Sequence, residues 1–428
     1  MKKILVGTSA LVAASAIAGS AIAAEPIQLS VGGFGSVFVG YATQSKSYLN
    51  AIKKDAMSAD VKGDNEIHFK GKTTLDNGLT VSVKYELEAG GTNNTNDDHI
   101  SKYAISLGGA FGTVIAGVDD NAMTALAARS PHMGNRLFGG GISEGSLIGG
   151  DWVLKPKTAI GDAPAADAPD ADKTMYRAAQ LLKQTDYIDA SYITTGNGTE
   201  SISYLSPSIA GFTLGASYIP DTNQKKHDEK QPTGRKIARA YGVGLGYANT
   251  FGGVGVQADI GWLNGGSKLK AEKLAINDNV LESKGHNEYQ AGLSLSYSGV
   301  TVGGGYHMIK EKLGVTTAPN KEVKGSFDHS AWEAGVGYKT GPFGVAVSYL
   351  DLKQADLDLK DELKDELKAD SQKGRRSRAV QLTSEYTMGP GVMLVGGVGY
   401  TKFEDKDSKK ASDRNKGWVA VTGLSLAF

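Results

Sequence analysis

The chain contains no cysteine, only 11 prolines in 428 residues, and no surplus of charge of either sign. After Ala24 it also lacks any long apolar run. Each shortage excludes something. Without cysteine there is no disulfide framework, so an exported form of this chain must hold its fold by other means. With 46 Lys+Arg against 46 Asp+Glu, the basic excess expected of a nucleic-acid binder is missing. No segment after Ala24 approaches the roughly 18 uncharged apolar residues of a spanning helix. Seven scattered histidines offer no metal-ligand spacing. No Ser–His pair with an orienting group can be read for hydrolysis. The series Gly242-x-Gly244-x-Gly246 alternates within a strand and precedes no helix, so it is not a dinucleotide loop. No enzyme is expected.

Glycine and tyrosine, by contrast, are plentiful, at 57 and 18 residues, with no three-residue glycine period. They suit closely packed strands with aromatic girdles rather than collagen. At the amino end, Lys2 and Lys3 precede an uncharged stretch from Ile4 to Ala24 that ends in small residues. This pattern predicts a secretory signal peptide over residues 1–24, cleaved after Ala23 or Ala24, and a single mature domain over 25–428.

That domain alternates apolar and polar residues along almost its whole length. The last segment, Trp418–Phe428, sets Trp418, Ala420, Thr422, Leu424, Leu426 and Phe428 on one face and small or apolar residues on the other. Similar segments begin at 27, 64, 79, 100 and 111, then at 199, 212, 237, 254, 287, 300, 329, 343, 376, 392 and 416. Short turns such as Asp76-Asn77-Gly78 alternate with long polar loops at 220–236, 264–286, 309–328, 352–375 and 402–415. An even set of 16 strands with short turns at one end and long loops at the other predicts an all-β transmembrane antiparallel barrel. The turns would be periplasmic, the loops extracellular, and a closed wall needs no disulfide. Residues 120–198 break the rhythm and are expected to be one very long third connection containing the strand-like Tyr187–Ile193. The "LKDE" repeats in Asp351–Lys368 predict a solvated helical turn or two.

Four segments then carry a family resemblance: Val31-Gly-Gly-Phe-Gly35, Phe111-Gly-Thr-Val-Ile-Ala-Gly117, Ser203-Tyr-Leu-Ser-Pro207 followed by Gly211-Phe212, and the terminal Phe428. In order and spacing they resemble the Gram-negative general porins, the 16-stranded trimeric type of alpha- and beta-proteobacteria. The resemblance implies a homotrimer in the outer membrane of a Gram-negative bacterium, with the third loop folded into the lumen. It implies passive diffusion of small hydrophilic solutes and ions, contact with outer-membrane lipid and lipopolysaccharide, and Phe428 as the signal for the outer-membrane assembly machinery. A substrate-specific channel and a structural or adhesive surface barrel are the competing readings. One departure stands out: Arg136-Leu-Phe-Gly-Gly140 replaces the Pro-Glu-Phe-Gly-Gly of many enterobacterial relatives.

A diffusion pore needs water, a narrow point and charges that set a field across it. Strand parity places Glu66, His68, Lys70, Lys72, Lys84, Glu86 and Glu88 inside. Lys70, Lys72 and Lys84 are candidates for a basic constriction wall, similar in placement to that of general porins. Glu144 and Asp151 are candidates for the opposing acids, with Asp119 and Asp120 at the loop root. Arg129 and Arg136 would shift selectivity towards anions. No cofactor is expected; Asp167, Asp170 and Asp172 are the sole weak candidates for Ca²⁺, and they lack a Gly-turn loop.

Overall fold

Alternation with a period of two builds one closed wall. The computed structural model describes residues 26–56, 58–89, 100–134, 152–156, 190–222, 237–267, 280–317, 321–354, 358–359, 374–405 and 409–428. Its strands, in chain order, are β1 Gln28–Ala42, β2 Ala59–Thr74, β3 Thr80–Glu88, β4 Ile100–Gly109, β5 Gly112–Asp119, β6 Thr199–Leu205, β7 Phe212–Asp221 and β8 Ile237–Phe251. They continue as β9 Val254–Ser267, β10 Val280–Tyr297, β11 Val300–Thr317, β12 Lys321–Thr340, β13 Phe343–Gln354, β14 Asp358–Leu359, β15 Arg375–Gly389, β16 Val392–Asp405 and β17 Arg414–Ala427. Each wall strand is antiparallel to the next, and β17 pairs with β1 to close the barrel. β14 is a two-residue appendage on β12, and β13 pairs past it to β15. The wall therefore has the 16 strands that the alternation predicts. Among the described residues two short α-helices lie in the connections, α1 Lys46–Ile52 and α2 Ala122–Leu126.

Exposure follows parity. In β17, Trp418 and Leu424 are 59% and 46% exposed while Val419 and Val421 between them are buried. Large apolar side chains stay uncovered around the whole circumference, as they must if hydrocarbon rather than water surrounds the wall. The 75–79 turn shows why its sequence was readable. Gly78 takes φ +80°, and the Leu79 N–H donates to Asn77 Oδ1 at 3.1 Å.

Three strands run further than their alternation suggests. β10, β11 and β12 span 18, 18 and 20 residues, whereas about 9–11 cross a bilayer. Beyond the apolar band both faces are polar, as at Lys310-Glu-Lys312, so the alternation fades while backbone pairing continues. β2 likewise starts at Ala59 instead of 64. The expected helical turns in Asp351–Lys368 are corrected in part. Residues 351–354 finish β13, 358–359 form β14, and the others lie outside the described residues. Of Tyr187–Ile193, residues 190–193 are not strand and 187–189 lie outside the described residues.

Candidate functional site: the loop-lined interior

The third connection turns inward and lies on the wall. Residues 121–134 cross the inner face from β7 to β16. A series of glycines makes room for them. A side chain on Gly242 would collide with Met123, one on Gly292 with the Ala128 carbonyl, and one on Gly303 would stand 2.5 Å from the Arg129 carbonyl oxygen. Further on, Pro131 sits over Gly337 and Met133 over Gly344.

Loop backbone that leaves water must find hydrogen-bond partners, and the wall supplies them as side chains. The Ala128 N–H donates to Asp259 at 2.7 Å, Ser130 N–H to Glu333 at 3.0 Å, and Gly134 N–H to Glu385 at 3.0 Å. Met133 N–H reaches the Thr383 hydroxyl at 3.0 Å, and Ala122 N–H the Ser217 hydroxyl at 2.8 Å. Carboxylates accepting N–H bonds in a buried setting make strong anchors.

Both limbs of the loop are tied together at Asn121. Its Oδ1 caps α2 through Thr124 N–H, and its Nδ2 donates to the Ile193 and Thr195 carbonyls at 3.1 and 3.0 Å. The returning limb also binds the wall. Ile193 N–H donates to Gln290 at 2.8 Å, and the Thr195 hydroxyl donates to Glu288. Glu288 also meets His286 Nε2 at 2.6 Å and His307 Nε2 at 2.8 Å, while His307 Nδ1–H donates to the Ala190 carbonyl at 3.1 Å. Met123, Ile193, Ile219 and Leu263 pack as an apolar cluster between loop and wall.

A third stretch, 152–156, reaches the far side. Trp152 and Val153 join Phe38, Leu350 and Phe403 in a second apolar cluster. Gln44 clamps it, donating to the Trp152 carbonyl at 2.8 Å and accepting from Leu154 N–H at 3.0 Å. Lys62 stands over the Trp152 ring, 5.0 Å from its centre.

Opposite the glycine seat, β2–β5 carry a second set of interior charges. Lys84 Nζ bonds Asp119 at 2.8 Å and Glu86 at 3.2 Å. Lys102 Nζ lies 3.1 Å from Asp120 and 3.9 Å from Glu86. His68 meets Glu66 at 2.8 Å, with the Phe34 ring edge-on beside it. Lys70 lies directly opposite Lys84 across the β2–β3 ladder. Lys70 and Lys72 are exposed and make no ion pair among the described residues.

The structure therefore brings Lys70, Lys72 and Lys84 onto one wall and joins Asp119 and Asp120 to it by direct contact. Arg129 lies elsewhere, on the glycine seat. Its guanidinium stacks 3.5 Å over the Tyr192 ring and donates to the Thr124 carbonyl at 3.1 Å. Arg136, Glu144, Asp151, Asp167, Asp170 and Asp172 lie outside the described residues. Sequence reasoning passed over Lys102, which strand parity places inside just as it does Lys84. It also passed over Asp259, Glu288, Gln290, Glu333 and Glu385, which sit far along the chain from the loop they hold. Glu66, His68 and Glu86 present ligand atoms within 4.8 Å of one another, as do Asp64, Glu66 and Glu88. Lys84 and Lys102 already hold Glu86, so a cation there would compete with two ammonium groups.

A family model described as Gram-negative porin matches residues 8–406. No curated protein matches the sequence. Among solved structures, the chain is similar to an anion-selective porin from Comamonas acidovorans, with 15% identity, 94% of this chain and 100% of that one covered, and a TM-score of 0.52. It is also similar to the outer membrane channel DcaP of Acinetobacter baumannii, with 12% identity, coverage of 95% and 98%, and a TM-score of 0.54. A loop-deletion mutant of OmpT, an outer membrane protein of Vibrio cholerae, shows 12% identity, coverage of 94% and 99%, and a TM-score of 0.52. At such identities the likeness is one of fold.

Proposed function

The chain belongs to the Gram-negative porin family, and from that premise we propose how its interior selects solutes. It forms an outer-membrane channel for passive diffusion, and its family and fold are those of a channel rather than an enzyme. The conducting path runs along the charged wall of β2–β5. One observation carries this reading: most of the described third loop is bonded to β7, β9–β12 and β15, to β17 and to Gln44 just beyond β1, while it meets β2–β4 at Asp120 and through the Lys62–Trp152 contact. Lys84 and Lys102 are each held by acids, so they add little net charge. Lys70 and Lys72 are the exposed cations of that wall and set its field.

The homotrimer, lipopolysaccharide contact and recognition of Phe428 by the assembly machinery belong to the same proposal, supported by family membership. Single-channel recording of the refolded chain in KCl tests it. Ohmic steps in groups of three are the expected result, and silence from protein verified as folded would refute it.

A further inference from the structure

The wall beneath the returning limb of the loop gathers acid–base groups that diffusion does not use. Residues directly opposite in antiparallel strands share a face. On the inner face of β10–β12 the ladder sets His286 opposite Glu311, Gln290 opposite His307, and Glu288 and His329 on either side of Ile309. Glu333 lies opposite Gly305. These three histidines and three glutamates are each no more than 3% exposed. Residues 190–193 lie over them and are buried as well.

At the centre of this patch the hydrogens can be counted. His307 Nδ1 lies 3.1 Å from the Ala190 carbonyl oxygen, which only accepts, so Nδ1 carries a hydrogen. The other ring nitrogen, Nε2, lies 2.8 Å from Glu288 Oε2. Glu288 Oε1 is taken by His286 Nε2 at 2.6 Å and by the Thr195 hydroxyl. A neutral His307 with its hydrogen on Nδ1 would turn the Nε2 lone pair onto the lone pairs of a carboxylate. His286 does not supply the missing hydrogen, because its own contact uses one. The arrangement therefore holds one proton more than two neutral rings and an ionised carboxylate bring, either on His307 Nε2 or on Glu288 Oε2. One ring ties both the wall acid and the loop carbonyl, and it ties both only while that proton is present.

We infer that a single proton shared by Glu288 and His307 latches the returning limb of the third connection to the wall, and that the latch opens when the proton leaves. Once it has gone, the ring has one hydrogen for two acceptors. The bond to the carboxylate is charge-assisted and the stronger, so the hydrogen goes to Nε2 and the Nδ1 lone pair faces the Ala190 carbonyl. The wall stays paired and the loop lets go. Closed, the pair binds one proton more than open, so the latch is secure on the acid side and weakens as pH rises. Around that proton stand His286 from β10, Glu311 from β11, His329 and Glu333 from β12, and Asp259 from β9, which holds Gln290. Arg129, stacked on Tyr192, comes from the loop. The inference goes beyond the channel reading, since it concerns how the loop is held and not what passes beside it.

The variant Glu288→Gln tests it, because an amide brings the missing hydrogen itself. Its Nε2–H donates to a neutral His307 Nε2 while its Oε1 still accepts from His286 and Thr195. The latch of this variant should stay closed as pH rises, whereas a merely structural glutamate would only be weakened by the exchange. Hydrogen exchange of residues 190–197 is read by mass spectrometry on the full refolded chain, corrected for intrinsic base catalysis. This stretch includes the Ile193 amide that Gln290 holds beside the latch. Amides of the β15–β16 ladder serve as reference. Between about pH 6 and about pH 9, on either side of the histidine range, the parent should lose about tenfold in protection relative to the ladder, the worth of one hydrogen bond. The variant should lose none. Nitrogen-15 spectra of the parent's histidine rings at about pH 6 check the proton count without a variant, and His307 Nδ1 should carry hydrogen there. An unchanged parent, or a variant that loses protection as the parent does, overturns the inference. So does a His307 Nδ1 without hydrogen, which decides the matter even if the variant does not fold. Exchange is read without a current, so silence in single-channel recording would refute the channel reading and leave the latch standing.

Discussion

Gly33 and Phe428 exchange both of their backbone hydrogen bonds, Gly33 N–H to the Phe428 carbonyl at 2.9 Å and Phe428 N–H to the Gly33 carbonyl at 3.1 Å. The glycine-rich segment that opens the first strand and the last aromatic residue of the sequence are thus one closure. Gly33 has no room for a side chain, since a Cβ there would collide with the Glu66 carbonyl oxygen of the neighbouring strand. Phe428 is 71% exposed and shares the parity of the exposed Trp418, Leu424 and Leu426, the lipid side of the wall.

Deleting Phe428 removes both bonds and the lipid-facing ring. Each hydrogen bond is worth about 1 kcal/mol net if water replaces it and more where water cannot. The folded fraction after refolding into bilayers, read as heat-modifiable mobility on a gel, should fall several-fold. Conductance of the channels that do assemble should match the parent. A changed conductance with normal assembly would mean that Phe428 shapes the pore instead.

The wall carboxylates make a different claim. Replacing Glu333 by Ala leaves the Ser130 N–H without its acceptor, a loss of about 1–3 kcal/mol for a buried donor. Because Glu333 holds the loop and not a neighbouring strand, melting of the barrel should change little. Open-channel current noise should rise as the loop loosens. Quiet recordings from a correctly folded variant would show that the loop does not depend on this anchor.

Asn121→Ala should free both limbs at once. Asn121 is fully buried, caps α2 and holds the carbonyls of the returning limb. Loss of an N-cap alone costs about 1 kcal/mol, and two orphaned carbonyls add to it. Limited proteolysis within residues 120–198 should become faster while the barrel remains resistant. Unaltered cleavage would show that the limbs are secured elsewhere.

How much of this was legible follows from period and distance. The strands of the wall were readable because one face must be apolar, and the 75–79 turn because Asn-Gly announces it. The ends of β10–β12 were not, since Lys310-Glu-Lys312 offers no contrast between faces once the strand leaves the membrane. Lys84 could be placed inside by parity, yet its pairing with Asp119 depends on where β5 ends. The loop's seat was hidden for another reason. Gly242, Gly292 and Gly303 look like ordinary strand glycines, and Asp259 and Glu333 like any inward polar residue. Only the folded barrel shows that a segment more than a hundred residues earlier lies on them.

The sharpest test of the charged wall compares two lysines that face each other. Lys70 and Lys84 are paired across β2 and β3, but Lys84 sits between Asp119 and Glu86 whereas Lys70 is exposed. Neutralising Lys84 would take the ammonium from Asp119 and leave Glu86 to Lys102, 3.9 Å away, and neutralising Lys70 would release no carboxylate. Lys70→Gln should therefore move the reversal potential in a KCl gradient modestly towards cations by loss of a single field charge. Lys84→Gln should move it further, because Asp119 and a more weakly held Glu86 then face the path. Both shifts should shrink at high salt, where the Debye length falls to about 3 Å at 1 M. If Lys70→Gln moves it more than Lys84→Gln, the conducting path does not pass the Asp119–Lys84–Glu86 contact. The field would then have to be set closer to the β2 side of the wall.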